Sequence, residues 1–171
     1  MHREDPVSAT HQMYLKALYK LSRTSPVGRV RDLARELGIT PGTVSTGLTR
    51  LQNLGLVERE HYGGALLTPA GAAVARCVQH RYETLKALLI EVFGVGPEDA
   101  ENDACLMEHT VSPVTMNRMA ALLERLRSGE AIDRDSLIHL HNEPPSICAE
   151  CEAAGFCHAA SSSTHGAERI K

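Results

Sequence analysis

The stretch VRDLARELGITPGTVSTGLTRLQNLG, residues 30–55, decides the fold. Val30, Leu33, Ala34 and Leu37 recur at helical spacing, and Gly38 closes that segment as the residue best suited to a left-handed cap. Thr40 then has the side chain of an N-cap, and Pro41 suits the first helical position. Val44, Leu48, Leu51 and Leu54 give the second helix an apolar stripe, and Gly55 stops it. Ala34 is small where two helices must cross closely, and Val44 is placed to bury against the first helix.

Leu56–Arg59 and Ala65–Leu67 read as strands around the turn His61-Tyr62-Gly63-Gly64, a β-hairpin. Upstream, Met13, Ala17, Leu18 and Leu21 mark a helix from Ser8 to about Leu21, broken by Ser25-Pro26-Val27-Gly28. Downstream, Thr68-Pro69 opens a long helix to about Phe93. A further helix covers about Pro97 to Thr110, and another runs from Ser112-Pro113 to about Arg127. The expected fold class is mainly α: an N-terminal winged helix-turn-helix followed by an α-helical domain. The expected division is 1–71, 72–128, and a Cys/His-containing tail over 129–171 whose end is disordered.

The 171 residues carry 18 Lys+Arg, 21 Asp+Glu and no Trp, with a net charge of −3. Charge is uneven: residues 1–95 hold 12 basic and 8 acidic side chains, residues 96–171 hold 6 and 13. A mildly basic front half is compatible with nucleic acid. On the second helix Thr40, Thr43, Ser45, Thr46, Thr49 and Arg50 are candidates for base-edge and phosphate contact in a major groove. Arg29, Arg31, Arg35 and Arg59 are candidate phosphate partners, and His61–Gly64 would form the wing. No apolar run approaches a membrane span, and the N-terminus has no signal-peptide core, so a cytosolic protein with reduced thiols is expected.

Glu101, Cys105, Glu108 and His109 fall within roughly 100° on a helical wheel. A face of carboxylates, thiol and imidazole is costly to bury unless a cation neutralises it; the plainer alternative is a half-exposed face with a core cysteine. His80, with Glu83 one turn further on, points away from the Val74–Val78–Leu85–Leu89 stripe.

With these residues in place the chain resembles the iron- and manganese-dependent repressors of the diphtheria toxin repressor (DtxR) and manganese transport regulator (MntR) family. The resemblance spans roughly residues 9–127. It rests on Met13-Tyr14-Leu15, Val30-Arg-Asp-Leu-Ala34, Thr43-Val44-Ser45, Gly55-Leu56-Val57, Leu67-Thr68-Pro69-Ala-Gly71, His80 and Cys105-x-x-Glu108-His109. It implies a homodimer that represses transcription by binding a palindromic double-stranded operator when loaded with metal. The iron-branch ligand set maps onto Met13, Cys105, Glu108 and His109. The manganese branch has carboxylates where this chain has Met13, Lys16 and Cys105. Soft thioether and thiolate donors favour Fe(II) over Mn(II), which stands as the alternative. A second family site maps onto His80, but Glu101 stands at the place of a histidine and Thr84 at that of a carboxylate, with Glu83 one residue away. The iron branch also carries an SH3-like domain for which the chain is expected to be too short.

The tail reads Cys148-Ala-Glu-Cys151, then Cys157-His158, a spacing suited to Zn(II) or an iron–sulfur cluster, with His139, His141 or His158 as a further ligand. A second hypothesis therefore places redox or cluster sensing in Cys148, Cys151 and Cys157. A third is a metal-dependent hydrolase with Glu108 as base, although no second nucleophile or oxyanion device accompanies it. No catalytic residue is assigned and an enzyme is not expected.

Overall fold

A computed structural model describes residues 7–23, 27–60 and 63–133. Its elements are α1 (Ala9–Ser22), β1 (Gly28–Arg29), α2 (Val30–Leu37), α3 (Pro41–Asn53), β2 (Val57–Arg59), β3 (Gly64–Leu67), α4 (Pro69–Glu91), α5 (Pro97–Met107) and α6 (Pro113–Ser128). The architecture is mainly helical, a winged helix-turn-helix followed by three further helices. The tail cysteines Cys148, Cys151 and Cys157, His158, and the wing tip at 61–62 lie outside the described residues.

The helix boundaries follow from local chemistry. Ser8, Thr40, Thr68 and Ser112 each accept a backbone N–H three residues on, satisfying an otherwise unpaired donor. Gly38 ends α2 at φ 66°, a conformation that penalises any side chain. The turn it permits lets α2 and α3 pack as the sequence requires, with Leu33, Ala34, Val44, Leu48 and Leu51 buried.

Three expectations are corrected. The hairpin is a three-stranded antiparallel sheet in the order β1-β3-β2, because Gly28 and Arg29 pair with Ala65 and Gly64. Two residues carry no detectable alternation, so the pattern read as a simple helix breaker. Leu54, expected in the buried stripe, is the C-cap of α3 and 38% exposed; Leu56, just past the Gly55 turn, is buried instead. On α1 the buried face is Tyr14, Leu15, Ala17 and Leu18, while Met13 is 40% exposed.

Two apolar clusters form. The first joins α1, α2, α3 and the sheet to Val74, Ala75 and Val78 of α4. The second gathers Leu85, Ala104 and Met116 with Tyr82, Leu89 and Met107. Helix α4 thus belongs to both and fixes the reading head against α5 and α6. At its far end Arg127 of α6 donates Nε and Nη2 to Glu91 at 2.9 and 2.5 Å. That bond holds the Glu91 carboxyl below its ordinary value of 4.5. A depressed folded value means stability present above pH 4.5 and lost as pH falls through the folded value. The expected result is a slightly lower melting temperature for Glu91→Gln at pH 7, with the gap to wild type closing as the carboxylate takes up its proton at acid pH; the pair is exposed, so the effect is small. A pH series of thermal melts checks this.

Candidate metal centre and DNA-reading surface

The candidate ligands come from two places that α4 holds together: the first turns of α1, and the end of α5. Helix α5 stops at Met107, two residues short of His109, so the continuous wheel through Thr110 is corrected. Ser112 must be extended to cap α6 and Pro113 occupies its first position, which forces the chain to turn before them. Thr110 and Val111 fold back to the Met107 carbonyl at 2.9 and 3.0 Å. Buried Arg81 of α4 donates Nε to the Glu108 carbonyl at 2.7 Å and Nη2 to the Val111 carbonyl, so the turn is pinned from below.

Glu108 is 1% exposed. Lys16 of α1 donates to both its carboxylate oxygens, at 2.9 and 2.7 Å, while its ammonium lies 3.8 Å from the centre of the Tyr82 ring. The pair compensates a charge that would otherwise be prohibitive to bury. Burial raises the pKa of the Tyr82 phenol, with Lys86 opposing and Glu101, Cys105 and Glu108 reinforcing the rise.

Gln12 fixes the imidazole of His109. Its Nε2 donates to the Val7 carbonyl at 2.9 Å, which turns Oε1 toward His109 Nδ1 at 2.8 Å. Since Oε1 only accepts, Nδ1 is assigned a proton, and in the neutral ring Nε2 then carries a lone pair. That Nε2 is buried without a hydrogen-bond partner among the described residues, 3.2 Å from Glu108 Oε1. A lone pair facing a carboxylate is unfavourable unless a proton or a cation joins them.

Met13, Lys16, Tyr82, Glu101, Cys105 and Glu108 line one cavity of about 500 Å³. Glu101, expected both on the face of Cys105 and Glu108 and as a partner of His80, borders this cavity, exposed and paired with Lys86, which lowers its pKa through their hydrogen bond. His80 and Glu83 line a separate cavity of about 530 Å³ with Tyr19, Lys20, Arg23 and Arg76, where Gln79 donates to Glu83 at 2.8 Å. Among the described residues no three His, Cys, Asp or Glu side chains stand close enough to cage a cation as they are. Met13, Cys105 and Glu108 border the same cavity, and His109 Nε2 lies 3.2 Å from the Glu108 carboxylate, so these four are the candidate donors by chemistry. They offer thioether, thiol, carboxylate and an imidazole nitrogen without a hydrogen-bond partner among the described residues, with Lys16 on the carboxylate.

The sequence did not reveal Gln12 or Arg81 as supports. Arg81 does carry a signal: a cation in register with Val74, Val78 and Leu85 on a buried stripe needs buried acceptors.

On α3, Thr40, Thr43, Thr46 and Arg50 are exposed and Ser45 is half-buried. Thr40 is engaged as cap, and Thr46 and Thr49 donate to the Gly42 and Ser45 carbonyls at 3.2 and 3.0 Å, which turns their hydroxyls back onto the helix. Arg29 and Arg31 line a shallow cavity of about 320 Å³ with Gly63 beside the wing. Arg35 pairs with Asp32 at 2.6 Å, and Arg59 donates to the Ser45 carbonyl at 3.4 Å.

A winged helix-turn-helix tied through one long helix to a donor-rich junction defines a class: DNA-binding regulators controlled by metal. Comparison with known proteins agrees. Residues 7–65 match the iron-dependent repressor N-terminal DNA-binding domain, and residues 68–133 match the iron-dependent repressor metal-binding and dimerisation domain. The chain is 28% identical over 123 residues to an uncharacterised HTH-type transcriptional regulator of Methanocaldococcus jannaschii, covering 71% of this chain and 98% of that one. It is 37% identical over 101 residues to the transcriptional regulator MntR of Salmonella typhimurium, covering 58% and 64%. A solved manganese-dependent transcriptional repressor in complex with manganese superposes with a TM-score of 0.62 at 27% identity, covering 67% of this chain and 52% of that one. The chain therefore spans about half the length of that solved repressor. It belongs to the iron-dependent repressor family, the DtxR/MntR family of metal-dependent transcriptional repressors, which are not enzymes. No helix among the described residues is long and apolar enough to cross a membrane.

Proposed function

We propose that the chain is a cytoplasmic, homodimeric repressor of metal-homeostasis genes whose operator affinity rises when Fe(II) binds at Met13, Cys105, Glu108 and His109. The observation that carries this reading is His109 Nε2, without a hydrogen-bond partner among the described residues, beside the buried Glu108 carboxylate, which shares a cavity with a thioether and a thiol. Soft donors favour Fe(II), and Mn(II) is the alternative. A bound divalent cation supplies the positive charge that joins α1 to the end of α5. Met13 sits on the helix that backs the reading head; Cys105, Glu108 and His109 sit with the dimerisation helices. Holding these together sets the separation of two heads near the ~34 Å repeat of successive major-groove faces. Without that link the competent spacing is a fraction of the population, and operator affinity falls by that fraction. His80 and Glu83 are the candidates for an ancillary site, with Glu101 assigned to the main cavity's rim.

Residues 1–71 would read DNA through Thr40, Thr43, Ser45, Thr46 and Arg50 in the major groove, with Arg29 and Arg31 on phosphates. Residues 72–128 would hold the metal and the dimer. The test is operator binding by gel shift under anaerobic conditions, titrated with Fe(II), Mn(II) and Zn(II). Cys105→Ala and His109→Ala are expected to remove the metal-stimulated shift while remaining folded. Arg50→Ala is expected to weaken operator binding about tenfold or more without changing metal affinity. Metal-dependent shifts that persist in both ligand variants would overturn the assignment.

A further inference from the structure

The cavity's carboxylates are each answered by a lysine: Glu36 by Lys20 at 2.6 Å, Glu101 by Lys86, and Glu108 by Lys16. The first two pairs stand at the exposed rim. The third is different. Lys16 reaches both oxygens of a carboxylate that is wholly inside, and those oxygens belong to the ligand set proposed above.

We propose that Lys16 is a tethered competitor of the metal, an internal cation that holds Glu108 until a divalent ion displaces it, and so sets the metal concentration at which the repressor responds. This rests on the metal reading of the site. The ammonium supplies the charge that Glu108 needs when no metal is bound, at 2.7 and 2.9 Å from its two oxygens. It is an incomplete substitute, because it leaves His109 Nε2 without a hydrogen-bond partner among the described residues, 3.2 Å from the same carboxylate. An ion set between the carboxylate and the imidazole would satisfy both. Ammonium and divalent ion do not share one small buried carboxylate without strong repulsion.

The lysine has somewhere to go. Its side chain is 19% exposed, and its stem runs along the same 500 Å³ cavity that Lys20 and Glu36 border. A flexible four-carbon stem can keep its apolar length on the wall while the charged end moves to water. What it leaves behind is the Tyr82 face and one carboxylate. The cost of that release is subtracted from the metal's binding free energy, so affinity is lower than the ligand set alone would give.

The experiment is anaerobic metal titration of the reduced full chain by calorimetry, with Fe(II) and with Mn(II), for wild type, Lys16→Met and Lys16→Arg. Lys16→Met is expected to bind metal about tenfold tighter or more. Lys16→Arg keeps the competing charge and is expected to bind close to wild type. Thermal melts give an independent readout: Lys16→Met should melt lower than wild type without metal, yet show a larger metal-induced rise. Should Lys16→Met fail to fold without metal, Lys16→Gln keeps a hydrogen bond to Glu108 without the charge and carries the comparison. Unchanged or weaker affinity in the uncharged variant, or Lys16→Arg binding as tightly as Lys16→Met, overturns the competitor while leaving the metal site standing. No binding in any of the proteins overturns the metal site and the competitor with it.

Discussion

Glu108→Ala is expected to lower affinity for Fe(II) and Mn(II) by about a hundredfold or more and to abolish metal-stimulated operator binding. The carboxylate is the point where every element of the site meets: it faces His109 Nε2, holds the Lys16 ammonium, and shares a cavity with Met13 and Cys105. Removal of one member of a buried pair usually costs about 3–5 kcal/mol because the other charge is stranded. Here Lys16 is partly exposed and can turn to water, so the expected loss of stability is smaller, about 1–3 kcal/mol. The Arg81 contact is to the backbone carbonyl of Glu108, so the turn after α5 keeps its anchor and the fold survives. Glu108→Gln separates the two roles. It preserves volume and a hydrogen-bond acceptor for Lys16, so it should melt nearer to wild type while still losing most of its metal affinity. Calorimetric titration and denaturant melts on both variants check this; metal affinity within threefold of wild type in Glu108→Ala would remove Glu108 from the ligand set.

The contrast between what was and was not legible in the sequence follows from the range of the forces involved. The α2–turn–α3 unit was readable up to its last turn, where Leu54 is exposed rather than buried, because caps, Gly38 and the Val30–Leu37 spacing act within one or two turns. The donor set at Cys105, Glu108 and His109 was readable because its residue types are unusual together. By contrast, β1 depends on partners more than thirty residues away, Gly28 with Ala65, and its two residues have no period of their own. The end of α5 at Met107 is imposed by the nearby cap of the next helix together with the Arg81 contacts, and the latter come from 27 residues upstream of Glu108. The pairing of Lys16 with Glu108 spans 92 residues; only the packing of α1 and of α5 against the shared helix α4 brings the two groups together. Sequence showed that a lysine occupies a ligand-bearing helix, but not that it lies on the one carboxylate the site cannot spare.

Gly71→Ala is expected to destabilise the protein by about 3 kcal/mol or more, lowering the melting temperature by roughly 6–12 °C. A methyl group on Gly71 would lie 1.9 Å from the Leu56 carbonyl oxygen and 2.9 Å from its carbon. Both are backbone atoms, so no side-chain rotation relieves the overlap. Leu56 itself is held on two sides: its N–H donates to the Leu51 carbonyl at 2.9 Å, and its own carbonyl accepts from Thr68 N–H at 3.1 Å. Thr68 in turn donates to the Gly55 carbonyl at 2.8 Å and caps α4 through the Gly71 N–H at 3.0 Å. To admit a methyl group, either the start of α4 or the α3–β2 connection must move by more than an ångström, and with it the apolar contacts that Val74 and Ala75 make in the first core. Because α4 also carries Arg81 and Tyr82 to the metal junction, the same shift should weaken metal binding even though Gly71 lies in the first turn of that helix, away from the cavity. Gly42→Ala is the control. Its methyl group would meet nothing nearer than Thr40 Oγ1 at 3.8 Å, and alanine has the better helix propensity, so that variant is expected to melt at or slightly above wild type. If Gly71→Ala melts within about 1 kcal/mol of wild type, α4 is not seated on the α3–β2 connection as described, and the rigid link from reading head to metal junction loses its basis.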